Sequence, residues 1–233
     1  MKGMSLFMKI NYKDEVFEVE KDTEIKDILK EQINNSKYTI MNLGDKLSIG
    51  IKEKSYIDYY KEYINKEKEI VEVKNTYSTN TQSINNTLFL IENTPKIRRE
   101  LIDSDLLIIT LGYNDLIYRI SLEENINDKS LDRIINDIRI EYNQLINEII
   151  KYYHKDIIVV GYYKSNSRNE YINKGIVKLN KILQQNKKIE YIDTYNLISN
   201  NPKYLKNQDS YYPNNRGYYE ISKKIISKTL EII

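Results

Sequence analysis

From residue 38 onward, short apolar runs alternate with segments of helical spacing, and this alternation constrains the fold more than any other feature. The runs are 38–43, closing on Gly44, then 70–73, 105–111, 156–161 and 189–192. Between them the apolar period lengthens to that of a helix. Ser55 heads a helix that turns Ile57, Tyr60 and Ile64 inward, and Thr94-Pro95 opens another with proline at the first helical position. Ser130 is expected to cap a long helix carrying Ile134, Ile138, Tyr142, Leu145 and Ile149. Further helices are expected over 169–186 and 213–232, and 75–82 reads as a polar loop. Such a pattern predicts an α/β fold: a parallel sheet with helices on both faces. Right-handed crossovers then place the functional loops at the carboxyl ends of the strands.

The first 36 residues follow a different plan. Residues 8–20 read as two short strands around the polar turn Lys13-Asp14-Glu15. Asp22-Thr23 can cap a helix bearing Ile25, Ile28, Leu29 and Ile33, which Asn34-Asn35-Ser36 ends. This hairpin and helix are similar to the opening of a β-grasp module, and too short to complete one. The expected organisation is an extension over 1–36 and a main domain over 37–233.

Composition narrows the chemistry. Zero Cys and one His exclude disulfides, a thiolate nucleophile and multi-histidine metal sites, so no metal or cofactor is expected. The net charge of +2 gives no electrostatic case for nucleic acid. No apolar run approaches the roughly 20 residues of a transmembrane helix. Met1 to Met8 lacks a signal-peptide apolar core, and the chain reads as cytoplasmic. Tyrosine is abundant, 22 against 3 Phe and 0 Trp. One reading is a tyrosine-rich binding surface. The other is a base-composition bias that makes tyrosine the core aromatic, each hydroxyl led to water or a partner.

Four segments fall where an α/β fold places function: Gly44-Asp45-Lys46-Leu47-Ser48, Asn75 to Thr81, Gly112-Tyr113-Asn114-Asp115, and Asp209-Ser210-Tyr211-Tyr212-Pro213-Asn214 with Gly217-Tyr218 beyond. In these segments, in their order and spacing, residues 37–233 resemble the SGNH (GDSL) hydrolases. These are esterases and lipases on a flavodoxin-like, three-layer α/β/α fold with a five-stranded parallel sheet. The resemblance implies a serine nucleophile directly after Gly-Asp and an Asp-x-x-His pair in the last segment, with the imidazole taking the serine proton. It also implies an oxyanion hole made of the serine N–H, a glycine N–H from the second segment and the asparagine side chain of the third.

The chain departs from that pattern where the chemistry is done. Lys46 stands at the serine position, Tyr212 at the histidine position and Asn80 at the glycine position. Asn114 at the oxyanion position and Asp209 remain, and Gly44 and Asp45 shape the turn. A lysine titrates at about 10.4 and a tyrosine at about 10, so the pair makes no ready nucleophile and base at pH 7. Ser48 lies two positions past the expected nucleophile and is expected to point elsewhere. His154, the single histidine, precedes the strand at 156–161, which places it at the opposite end of the sheet as a surface turn residue. Asn114 and Asp209 read either as turn and cap residues or as inherited catalytic positions now structural.

Two functional readings stand. In the first, the chain is a catalytically impaired pseudo-hydrolase that binds an unidentified ligand or protein. In the second, it is an active carboxylic ester hydrolase using non-standard residues or a base supplied by another chain. A third emphasis makes the amino-terminal segment an edge strand or lid for a partner.

Overall fold

The computed structural model describes residues 6–12, 15–21, 38–50, 54–66, 71–164, 169–185, 189–206 and 212–232. Strands β1 (Leu6–Tyr12) and β2 (Glu15–Lys21) pair antiparallel as a separate two-stranded sheet, in a register that sets Ile10 opposite Phe17. The helix expected over 22–33 lies outside the described residues.

The main sheet consists of β3 (Tyr38–Gly44), β4 (Val71–Lys74), β5 (Leu106–Thr110), β6 (Ile157–Val160) and β7 (Ile189–Ile192). All pairings are parallel and the spatial order is β4-β3-β5-β6-β7. Every residue of β5 and β6 is buried, which is why both read in sequence as unbroken apolar runs. The chain leaves β3 for β4 at one edge and returns as β5 on the other side of β3. A crevice opens where the order reverses, outside the carboxyl ends of β3 and β5.

The helices are α1 (Lys46–Ile49), α2 (Tyr56–Ile64), α3 (Ile84–Asn93), α4 (Pro95–Ile102), α5 (Tyr113–Ser121), α6 (Asp128–Ile149), α7 (Glu170–Gln184), α8 (Tyr195–Ser199) and α9 (Asn215–Ile232). Helices α2 and α9 pack on each other, while α3, α5, α6 and α7 pack together as a second group. The fold is therefore the expected flavodoxin-like one, a five-stranded parallel sheet flanked by helices.

Among the described residues four helices were not anticipated: α1, α3, α5 and α8. One cap was also assigned to the wrong residue. Asn127 caps α6, accepting from the Ser130 amide at 3.0 Å, and Ser130 answers by accepting from the Asn127 amide at 3.0 Å. Ser130 is thus the third residue of a reciprocal capping box rather than its start. Tyrosines do serve as core aromatics. Tyr56, Tyr59, Tyr60, Tyr142 and Tyr218 are among the largest fully buried side chains. Tyr60 donates its hydroxyl proton to Thr229 at 3.2 Å, and Tyr56 pairs with the Thr110 hydroxyl.

Candidate functional site

The turn that leaves β3 is built around a close approach. A Cβ at Gly44 would sit 2.3 Å from Ser48 Oγ, so only glycine fits there. The Asp45 amide donates to the Thr110 carbonyl at 2.9 Å, which seals β3 to β5. Asp45 Oδ1 then accepts from the Leu47 amide at 3.0 Å and caps α1. Asp45 Oδ2 accepts from the Tyr162 hydroxyl at 2.8 Å. Burial pushes the Asp45 carboxyl up from 3.8 to about 7, against the hydrogen bonds from Tyr162 and Leu47, which favour its charged form.

Ser48 is fully buried, and its hydroxyl donates back to the Asp45 carbonyl at 2.7 Å. It points into the turn, as its spacing predicts. Lys46, the residue between, is half-buried, and its ammonium lies 4.6 Å from the centroid of the Tyr212 ring. That contact is with the ring face. Asp209, which keeps the family's residue in the last segment, lies outside the described residues.

The second and third segments are tied to β3 and to each other. Ser78 Oγ accepts from the Gly44 amide at 2.9 Å and donates to the Asn42 carbonyl at 2.8 Å, and the Thr79 amide donates to the Gly44 carbonyl at 3.2 Å. Asn114 Nδ2 donates both hydrogens to main-chain carbonyls, to Asn80 at 3.0 Å and to Gln82 at 2.9 Å. Next to it, Asp115 accepts from the Ile84 amide at 3.2 Å and supports the start of α3. Burial pushes its carboxyl up to about 6, opposed by that amide. The segment Gly112 to Asp115 is therefore not a free loop. Gly112, at φ 120, caps α5, and Tyr113, Asn114 and Asp115 form its first turn. Asn80 is exposed, and its carbonyl is what Asn114 holds.

The last segment is fixed by Asn214. Its amide group donates to the carbonyls of Lys203 at 2.8 Å and Leu205 at 3.1 Å, and its Oδ1 accepts from the Gly217 amide at 3.0 Å. The Lys206 amide donates to the Tyr212 carbonyl at 3.1 Å. These bonds place the Tyr212 ring across from Lys46.

Lys46 and Tyr212 line a small, open cleft together with Asp45, Leu47, Tyr113, Tyr162 and Tyr163. Tyr113 and Tyr162 stack with centroids 5.4 Å apart at 27°. Asn180 holds Tyr162, two residues past the end of β6, in place, accepting from its amide at 2.9 Å and donating to its carbonyl at 2.6 Å. Burial keeps the Tyr162 and Tyr163 hydroxyls well above their usual 10.0, so neither offers a phenolate near neutrality. Tyr162 and Tyr163 were missed in the sequence. The available signal was Gly161 closing a buried strand at the carboxyl edge, followed at once by two tyrosines. His154 is exposed in the turn before β6, at the amino end of the sheet, away from this cleft.

Residues 40–225 match the family model described as GDSL-like lipase/acylhydrolase. The chain belongs to that family. Among solved structures this GDSL-family chain is similar to a lipase from a goat rumen metagenome, with TM-score 0.70 at 20% identity over 82% of this chain and 96% of that one. It is also similar to a catalytic mutant of an acetylxylan esterase from Geobacillus stearothermophilus, with TM-score 0.60 at 14% identity over 82% and 93%. A lipase/acylhydrolase from Enterococcus faecalis superposes with TM-score 0.57 at 18% identity over 83% and 96%. At these identities the likeness is one of fold. No curated protein sequence matches the chain. Among the described residues no cluster of His, Asp or Glu is able to hold a metal ion, and no helix is long and apolar enough to cross a membrane.

Proposed function

We propose that this GDSL-family protein is a pseudo-hydrolase: it keeps the family's cleft as a binding site and has lost the hydrolytic machinery. Residues 1–36 are read as an extension appended to the hydrolase-like domain. One observation carries the reading. The side chain that follows Gly44-Asp45 at the mouth of the crevice is an ammonium, Lys46, and it rests on a phenol ring, Tyr212. An ammonium on a tyrosine face has no means of passing a proton from a hydroxyl nucleophile to a leaving group.

Two further observations support it. The neighbouring hydroxyl, Ser48, is buried and spent on the Asp45 carbonyl. The amide of Asn114 has both hydrogens committed to the carbonyls of Asn80 and Gln82, which leaves none for a developing oxyanion. In another hydrolase, loss of either the serine or the histidine lowers turnover by about 10⁶.

Hydrolysis of p-nitrophenyl acetate and butyrate by the full chain tests the proposal. The expected rate equals that of buffer alone. Turnover above buffer that disappears in Ser48→Ala, Asp209→Asn or Tyr212→Phe would establish the alternative, an ester hydrolase built from non-standard residues.

A further inference from the structure

We infer that the cleft binds a small carboxylic acid with an aromatic or apolar body, the acid group on Lys46 and the body against the tyrosine rings. This inference names the ligand class for the cleft and rests on the reading of that cleft as a binding site.

The charge and the lining of the cleft favour this class. Among the described residues no carboxylate pairs with the Lys46 ammonium, and its contact is a neutral ring face 4.6 Å away. A cation held on a ring keeps its hydrogen-bond donors available, and a carboxylate takes them as charge-assisted bonds. The other walls are Leu47 and the rings of Tyr113, Tyr162 and Tyr163, which call for apolar or aromatic matter rather than a second charge.

Asp45 does not oppose an anion as strongly as its position suggests. It is 1% exposed, its oxygens accept from Tyr162 and Leu47, and burial holds its carboxyl up at about 7. A cationic ligand fits poorly, because the cationic place against Tyr212 is taken by the chain's own lysine.

Titration of the full chain with benzoate, neutral benzamide and benzylamine, followed by NMR at low salt, tests the inference. Benzoate is expected to bind at least tenfold more tightly than benzamide. That preference is expected to vanish in Lys46→Met and to survive in Lys46→Arg. Tyr113→Ala is expected to weaken benzoate and benzamide alike. Equal affinity for benzoate and benzamide, tightest binding of benzylamine, no binding of any probe, or a preference that persists in Lys46→Met would each overturn it. Phenyl acetate turnover in the same samples separates this inference from the reading beneath it. Phenol release would defeat the pseudo-hydrolase reading while leaving a measured benzoate preference intact. Absent turnover with no benzoate preference would defeat only the ligand class.

Discussion

The Lys46 ammonium and the Tyr212 ring face each other across the crevice at 4.6 Å, joining the first and last segments of the site through a cation–π contact. Such a contact is static: it transfers no proton and contributes about 0.5–2 kcal/mol.

Restoring the family's residues should therefore require both halves. Lys46→Ser alone is expected to leave ester turnover at the buffer rate, since no imidazole is present to take the serine proton. Lys46→Ser combined with Tyr212→His is expected to rise above the single variant. It should remain weak, because Asn114 stays committed to the carbonyls of Asn80 and Gln82. Turnover by Lys46→Ser alone would show that a base already exists in the cleft.

Asn114 is expected to matter to stability rather than to chemistry. Asn114→Ala removes the donor to two carbonyls, one of them on the buried Gln82. The expected cost is about 1–2 kcal/mol. At roughly 2–4 °C per kcal/mol for a domain of this size, thermal unfolding would report it. An unchanged melting midpoint would show that the 80–82 segment is held by other bonds.

Much of this arrangement was legible in the sequence, for physical reasons. Strands β5 and β6 are buried on both faces, so their apolar runs are continuous and hard to mistake. Lys46 and Tyr212 were singled out through the family resemblance, as the positions of its serine and histidine, and the structure sets the two side chains against each other. Helix α3 was hidden because its buried stripe is only Ile84, Thr87 and Ile91, one of them polar, while Asn85 and Asn86 fill the rest of its first turn and Leu88, Phe89 and Leu90 lie off the stripe. Helix α5 was hidden because its first turn holds Asn114 and Asp115, turn-forming residues that serve the 80–84 segment rather than cap their own helix. Tyr162 and Tyr163 escaped notice because, in a chain with 22 tyrosines, a further pair offers no contrast.

Asp45 predicts an inverted pH dependence. Its carboxyl keeps a proton up to about 7 in the folded chain, against 3.8 for a free carboxyl. Between those values the folded state binds more protons than the unfolded one, so this group's contribution to stability falls as pH rises toward 7. Asp115, pushed up to about 6, acts in the same direction. Asp45→Asn stays neutral throughout. Its melting midpoint is expected to gain on the wild type between pH 5 and pH 8. A difference that is constant with pH, or that moves the other way, would contradict a buried, proton-holding Asp45.

The amino-terminal extension is expected to dock on the main domain. An isolated two-stranded hairpin is marginal in water, and the β1–β2 pair forms a sheet of its own. Deleting residues 1–36 is expected to lower the melting midpoint or the solubility of the remainder. A truncated chain that melts at the same temperature would show that the extension is independent.

The central claim is that the cleft holds no activated hydroxyl. The most direct measurement is the intact mass of the full chain after exposure to a fluorophosphonate, which labels an activated serine whatever the natural substrate. The account predicts an unmodified mass. A stoichiometric adduct mapped to Ser48, or to any other serine, would contradict it.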